Sequence, residues 1–505
     1  MWLLLLLLVL LILCGYWALL SNYTYWKKRG VPNPPVSLLF GNLGPSLSLE
    51  KSIGEILTGI YRNFPHFLYV GYYKIRQPAI VIRDPELARN ILIKEFNSFH
   101  DNDIELDEKV DPIGGKNPFV AKGNRWKISK SQVTPCFTSK KLKAMYPLIE
   151  DSVRKLIEYL QREPEAMGPD GLDTKELCAK YSTEVVASCA FGLEGKSFDE
   201  PDPEFRRMGK KIFSASPLTV IKFLLITIFP SLTKIFKLKF ISDEIADYFR
   251  NIVSATLRYR EENKVVRNDF LDFMKDLKSK PGEVEFTDDD VLSHTLGFFT
   301  DGFETSSAVM SYTLFELAAN SDTQEKLLIE IKETLQKCGG RLDYDTLIAM
   351  PYLDAVVSET LRMHPPGLLL LRCCTKPFTL PPPRGIGTGP EVSLEVGVPI
   401  SIPIYAFHYD PQYFPDPDRF DPDRFSESNK ENIIKGTYLP FGEGPRNCHG
   451  QRFGLMQIKA AVVSLILNYE IKVNKKTKTP LEIDPAHLVN QPKGGIWLNF
   501  SKRTI

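Results

Sequence analysis

The sequence predicts a mainly α domain with a minor β region, preceded by one N-terminal transmembrane helix. Three observations carry this. Residues 2–20 hold no charge, and Trp2 to Cys14 is an unbroken apolar run. Helical patterns dominate the chain after two short β-rich stretches. Strand-like stretches are confined to the region just after the linker.

A helix over the apolar run is roughly 30 Å long, about one hydrocarbon core. Tyr23, Tyr25 and Trp26 then read as an interfacial aromatic cluster, followed at once by Lys27, Lys28 and Arg29. No basic residue precedes the run, so the positive-inside rule puts everything after residue 29 in the cytosol. A cleaved signal peptide fits less well, because a basic n-region and a small-residue cleavage site are missing. Val31-Pro-Asn-Pro-Pro35 reads as a stiff spacer. The organisation is therefore 1–21 anchor, 22–39 basic stop-transfer and Pro-rich linker, and 40–505 folded domain.

Strands are expected near Phe67–Val70 and Ala79–Ile82. Leu142–Leu160 is an amphipathic helix pattern, and residues 205–249 are long, apolar and basic with breaks at Pro217 and Pro230. The longest helix is expected from Asp288 to Ala319, with Thr287 as N-cap and Asp290 completing a capping-box variant. Further helices start near Thr323, run from Pro351 to Met363, and follow Gly450 to about Leu467. With 505 residues and 43% hydrophobic content a large core is available. The net charge of +1 gives no sign of a nucleic-acid partner. Eight scattered cysteines, without a CxxC pair or zinc spacing, suit a reducing compartment.

One cysteine stands apart. In Phe441-Gly-Glu-Gly-Pro-Arg-Asn-Cys-His-Gly450, Gly442 and Gly444 allow a tight loop that can approach a flat ligand. Cys448 comes at the mouth of a helix, whose N–H groups favour a thiolate. The pattern F-x-x-G-x-R-x-C-x-G is matched at every fixed position, Gly450 included, and resembles the signature of cytochrome P450. Glu359 and Arg362 match the family's E-x-x-R, on one helix face at i, i+3. Phe420-Asp-Pro-Asp-Arg-Phe425 matches the later segment whose Arg424 closes a network with them. Phe298-Phe-Thr-Asp-Gly-Phe-Glu-Thr-Ser-Ser307 is similar to the family's oxygen-activating segment, with Glu304–Thr305 as its acid–alcohol pair and Gly302 leaving room for dioxygen.

The resemblance implies haem b with Cys448 as thiolate ligand, Phe441 shielding the sulfur, and Arg446 and Arg372 pairing with propionates. Trp126 and Lys130 match a W-x-x-x-R stretch at the same group, with lysine replacing arginine. It implies an NADPH-dependent monooxygenase acting on a lipophilic small molecule, with Thr305 and Glu304 managing oxygen and protons. Phe119, Phe298, Phe299, Phe303, Leu368 and Leu369 fall in segments that line the cavity in relatives. The partners implied are NADPH–cytochrome P450 reductase, with cytochrome b5 as a further candidate, and membrane lipid; the location implied is the endoplasmic reticulum membrane, catalytic domain in the cytosol. Val120 to Ile149 has no acidic residue and seven basic ones, a docking face for an acidic reductase. The overall pattern is most similar to microsomal insect family-six and related animal detoxification enzymes, on Thr134-Pro-Cys-Phe-Thr-Ser139 and Pro492-Lys-Gly-Gly-Ile-Trp497.

Two other classes stay open: a P450-fold isomerase or dehydratase independent of reductase, and a non-catalytic haem-binding protein. Besides Lys130, three positions depart from the pattern. Asn102 stands where related members often carry arginine. Asp301 stands where a small residue is usual; it either faces the cavity or is paired elsewhere. His449 follows the cysteine where an aliphatic residue is usual, and is expected on the proximal surface.

Overall fold

The computed structural model describes residues 23–213, 217–228, 230–279 and 285–503. The apolar run taken as the anchor lies outside them. Among the described residues no helix is long and apolar enough to cross a membrane.

A four-stranded sheet is built from β1 (Tyr69–Lys74), β2 (Gln77–Ile82), β3 (Leu370–Cys373) and β4 (Pro399–Ile402), in the order β1-β2-β4-β3. The β1–β2 hairpin turns at Ile75 and Arg76, with Ile75 at φ 56°. No glycine or asparagine marks that turn, so the strands extend further toward it than the sequence predicts. β4 joins β2 in parallel across more than three hundred residues, which no local signal announces. A second hairpin, β5 (Tyr469–Val473) with β6 (Trp497–Lys502), lies near the chain's end.

The aromatic cluster after the apolar run packs on the domain, with Trp26 in its core and Tyr23 and Tyr25 half-buried beside it. Trp26 is fully buried, and its Nε1 donates to the Tyr72 carbonyl at 3.0 Å. A Cβ on Gly71 would lie 2.4 Å from the Trp26 ring, so the glycine is a socket for it. Tyr23 packs edge-on against Tyr73, and Arg29 pairs with Glu395. The expected linker is thus docked on the sheet from its first residues; an exposed indole here would forgo its largest apolar contact.

The helices that place the site are α1 (Ile53–Asn63), α2 (Gly123–Val133), α3 (Ser139–Arg162), α4 (Thr174–Val186), α5 (Asp288–Ala319), α6 (Pro351–Met363) and α7 (Gln451–Asn468). α5 begins as its sequence dictates. Thr287 Oγ1 accepts from the Asp290 N–H, and the Asp290 carboxylate accepts from the Thr287 N–H at 2.9 Å. At 32 residues it is roughly 48 Å long. It is buried on nearly every side, as a helix crossing the middle of a large domain must be. Its hydroxyls bond back into the helix, as Thr313 does to the Val309 carbonyl at 2.8 Å. The 204–263 region forms successive helices, two of which begin at Pro217 and Pro230.

Candidate active site

The cysteine loop is shaped by glycine. Gly442 and Gly444 hold φ of 69° and 76°, and a Cβ on Gly444 would stand 2.1 Å from the Leu92 carbonyl oxygen. The turn closes when Cys448 N–H donates to the Phe441 carbonyl at 2.9 Å. Gly450 caps α7. Cys448 is accessible from a recess, and the N–H groups of Gly450 and Gln451 point at its sulfur. Burial nevertheless pushes the thiol up to about 11, and the Asp301 carboxylate adds to the shift. The helix mouth alone does not hold a thiolate here; a cation on the sulfur would reverse that balance.

Arg446 and Arg372 lie close to one another next to the loop, which Arg89 and Lys130 also touch. Arg446 donates to the Pro118 and Ala121 carbonyls at 3.2 and 2.7 Å and to His100, and its guanidinium lies 4.6 Å from the Trp126 ring centre. Arg372 Nη1 donates to Asn102 Oδ1 at 2.9 Å and to the Leu371 carbonyl at 2.8 Å. Asn102, which replaces the expected arginine, thus becomes a neutral acceptor. Arg372 Nε and Nη2 are buried and without a partner. Burial, with Arg446 nearby, lowers Arg372 to about 9. A buried guanidinium facing a second cation and no anion is costly. An accessible thiol beside an arginine short of an anion is the donor set that a metalloporphyrin with acidic side chains requires, so the residues fit haem.

Lys130 is placed differently from the expectation. Its ammonium donates to the Pro445 carbonyl of the cysteine loop and lies 5.6 Å from the Trp126 ring centre. It braces the loop, and a single lysine spends its charge there, where an arginine's fork would have donors left over. His449, expected on the proximal surface, is half-buried, with its Nε2 enclosed and unpartnered. Burial and the nearby Lys130 and Arg446 hold it down at about 4, so it is neutral.

On α5, residues 301 and 305 share a face. Thr305 Oγ1 donates to the Asp301 carbonyl at 2.5 Å. Asp301 faces the recess, where its charge reaches Cys448. Glu304 is one residue off that face and buried. Lys175 of α4 pairs with it at 2.9 Å, and Gln491 donates to it. Lys175 and Gln491 carry no motif and lie far off in sequence, so they are site residues that only the fold reveals.

Phe298, Phe299 and Phe303, expected on the cavity wall, are core residues. Phe298 packs on Phe270 and Phe453 at 4.7 Å each, and Phe299 stacks on Phe303 at 5.4 Å. Consecutive helical positions diverge by about 100°, and these three fall toward neighbouring helices. Phe119 is 59% exposed. Leu368 and Leu369 are half-buried against α1 and the sheet: a Cβ on Gly54 would meet Leu368 at 2.5 Å.

Behind the loop, Glu359 and Arg362 of α6 form a bidentate pair at 2.7 and 2.8 Å, both fully buried. Arg362 also donates to the His408 carbonyl at 2.9 Å, and Asp421 N–H donates to Glu359 at 2.9 Å. Arg424 approaches the same carboxylate at 3.4 Å. The three motifs expected to meet do meet.

This fold and site define a cysteine-loop protein built around a long central helix, mainly helical with a small sheet region. The sequence profile of the family described as "Cytochrome P450" matches residues 31–499, and the chain belongs to that family. Cytochrome P450 6k1 of Blattella germanica is 38% identical to it, with 99% of this chain and 97% of that protein aligned. Cytochrome P450 6j1 of the same insect is 36% identical over 97% and 96% of the two chains, and the probable cytochrome P450 6g2 of Drosophila melanogaster 35% over 99% of each. Family membership implies an oxidoreductase of the monooxygenase type with haem in thiolate ligation.

Proposed function

We propose that this chain is an NADPH-dependent monooxygenase that inserts one atom of dioxygen into a lipophilic small molecule, with electrons from a flavoprotein reductase. The observation that carries this is the exposed Cys448 at the end of its glycine loop, close enough to the Asp301–Thr305 face of α5 for the Asp301 charge to act on its thiol. Cys448 Sγ would hold the iron and Arg372, with two free donor atoms, a propionate; Arg446 would reach the other only by giving up one of its contacts to the His100, Pro118 and Ala121 carbonyls or Asp101. Bound there, haem supplies the reduction and cleavage of dioxygen. Thr305 keeps a proton at Oγ1 beside the recess. Gly302 keeps the helix surface open: a Cβ there would meet nothing nearer than Val186 Cγ2 at 3.8 Å, so packing does not demand glycine. Glu304 and Lys175 form an ionisable link between that helix and α4.

In turnover with reductase, Thr305→Ala is expected to keep haem but to release more hydrogen peroxide and less product per NADPH consumed. Unchanged coupling would remove Thr305 from proton delivery. An isomerase or dehydratase of this fold would turn over without NADPH, which the same assay detects.

The reductase would dock on part of the basic segment. Lys122 is paired with Glu105 and Arg125 with Asp290, whereas Lys127 and Lys140 are exposed. Lys127→Glu with Lys140→Glu is expected to raise the KM for reductase several-fold, most at low ionic strength. An unchanged KM and salt profile would place docking elsewhere.

The anchor at 1–21 would hold the chain in the endoplasmic reticulum membrane, with the domain in the cytosol and substrates arriving from lipid. Protease digestion of intact microsomes tests this: a digested domain supports it, and a protected one reverses the topology.

A further inference from the structure

Two enclosed imidazole nitrogens beside the cysteine loop have no hydrogen-bond partner among the described residues: Nδ1 of His294, on α5, and Nε2 of His449, next to Cys448. Packing brings the two rings to the same place. α5 and α7 cross in step: Phe298 packs on Phe453 at 4.7 Å, and Gln457 Nε2 donates to Ser306 Oγ at 2.8 Å and to the Gly302 carbonyl at 3.4 Å. His294 stands four positions before Phe298 and His449 four before Phe453, so they are the next pair along that crossing. His449 acts electrostatically on His294, as do Asp290, Arg125 and Lys116. The protons on His294 follow from its other contact. Its Nε2 lies 2.8 Å from Gln132 Oε1 of α2. An amide oxygen only accepts, so Nε2 carries the proton. Burial holds the ring at about 3, hence neutral, and Nδ1 is a bare acceptor.

We propose that His294 is a positioning residue for the thiolate loop: through one bound water molecule between its Nδ1 and His449 Nε2, it fixes the orientation and tautomer of the imidazole next to Cys448. This deepens the haem-thiolate reading and rests on it. The physical reason is satisfaction. A buried nitrogen without a hydrogen bond is unfavourable, and one water serves both by accepting from His449 Nε2 and donating to His294 Nδ1. The cations decide the tautomer of His449. Nδ1 is the ring nitrogen nearer the loop backbone, and Lys130, bonded to Pro445, and Arg446 act on the ring from that loop. A lone pair toward two cations is favourable and an N–H is not, so Nε2 carries the proton. The negative end of the ring dipole then faces the loop. His449 donates nothing to the sulfur, which is served by the N–H groups of Gly450 and Gln451. A negative edge beside an anionic sulfur disfavours a further electron on the metal it ligates, so this arrangement keeps the iron harder to reduce.

The test is the reduction potential of the full-length haem-loaded protein, titrated with mediators in the absence of substrate. His294→Leu removes the acceptor and is expected to favour the ferrous form at least threefold, about 28 mV. His294→Gln, whose amide can still meet Gln132 and the water, should bring the potential part of the way back. In a His449→Phe background the same His294→Leu change should shift nothing, because the effect passes through the imidazole. An unchanged potential in His294→Leu overturns the proposal. So does a shift of equal size with and without His449, or one toward the ferric form. If His294→Leu yields no folded protein, nitrogen-15 spectra of histidine-labelled wild type in the diamagnetic carbon monoxide form decide. The resonances lost in His449→Phe should show the proton on Nε2, and a proton on Nδ1 overturns the proposal. Failure of the haem-thiolate reading is seen separately, as a wild-type reduced, carbon monoxide-bound spectrum without the red-shifted band.

Discussion

Cys448→Ala is expected to abolish substrate oxygenation and the strongly red-shifted Soret band of the reduced, carbon monoxide-bound protein. The structure says why this change should act on chemistry and not on folding. The Cys448 side chain lines a recess, whereas the loop's hydrogen bond is made by its backbone N–H to Phe441, which alanine retains. Gly442 and Gly444 keep their left-handed conformations. Circular dichroism should therefore match wild type. Three of the other cysteines are closed off from a ligand. Cys136, Cys178 and Cys189 are buried in the core, with thiols pushed up by burial. Any band left at the imidazole position would implicate His449, which is neutral and next in sequence. A variant that still oxygenates substrate, or keeps the red-shifted band, would sink the haem-thiolate reading. Retained band and lost activity cannot both follow from it.

How much of this was legible in sequence depends on whether the determining contacts are local. The start of α5 was, because Thr287 and Asp290 satisfy each other within one turn. The cysteine loop was, because positive φ at two positions demands glycine wherever the loop lies. The Glu359–Arg362–Arg424 network was, because the motif order carried it. The strands at 370–373 and 399–402 were not: each is four residues, and β2 meets β4 only through the whole fold. Nor was the placement of Trp26. An aromatic cluster after an apolar run suits a membrane interface, and only Gly71, forty-five positions on, reveals a socket. Which face of α5 looks at the recess was equally hidden. Asp301, Glu304 and Phe303 are near neighbours in sequence that point to a cavity, a lysine on α4 and an aromatic core respectively. The sequence marked the helix that carries the candidate acid–alcohol pair; where its carboxylates point is decided by packing.

Arg362→Ala should be the most damaging substitution for stability. Arg362 is among the largest fully buried side chains, and its guanidinium serves four acceptor oxygens: both of Glu359 and the His408 and Arg419 carbonyls. Truncation opens a cavity and leaves the Glu359 carboxylate buried with only the Asp421 N–H and Arg424 at 3.4 Å. Breaking a buried pair from one side costs roughly 3–5 kcal/mol. Against a total stability on the order of 5–15 kcal/mol, that is a large share. The network joins α6 to the 408–424 segment, which leads into the cysteine loop, so haem should be lost as the domain loosens. Urea titration followed by far-UV circular dichroism and Soret absorbance checks both together. Replacing the pair with apolar residues, Glu359→Leu with Arg362→Met, should cost less than Arg362→Ala alone, because no charge is stranded. The exposed Lys143–Asp345 pair at 2.5 Å is the contrast: Lys143→Ala should leave the urea midpoint at its wild-type value, because water and salt screen such a pair. If Arg362→Ala unfolds no earlier than Lys143→Ala, the E-x-x-R pair does not hold the site in place. A double variant less stable than Arg362→Ala would instead mean that the network's net contribution exceeds the cost of burying its charges.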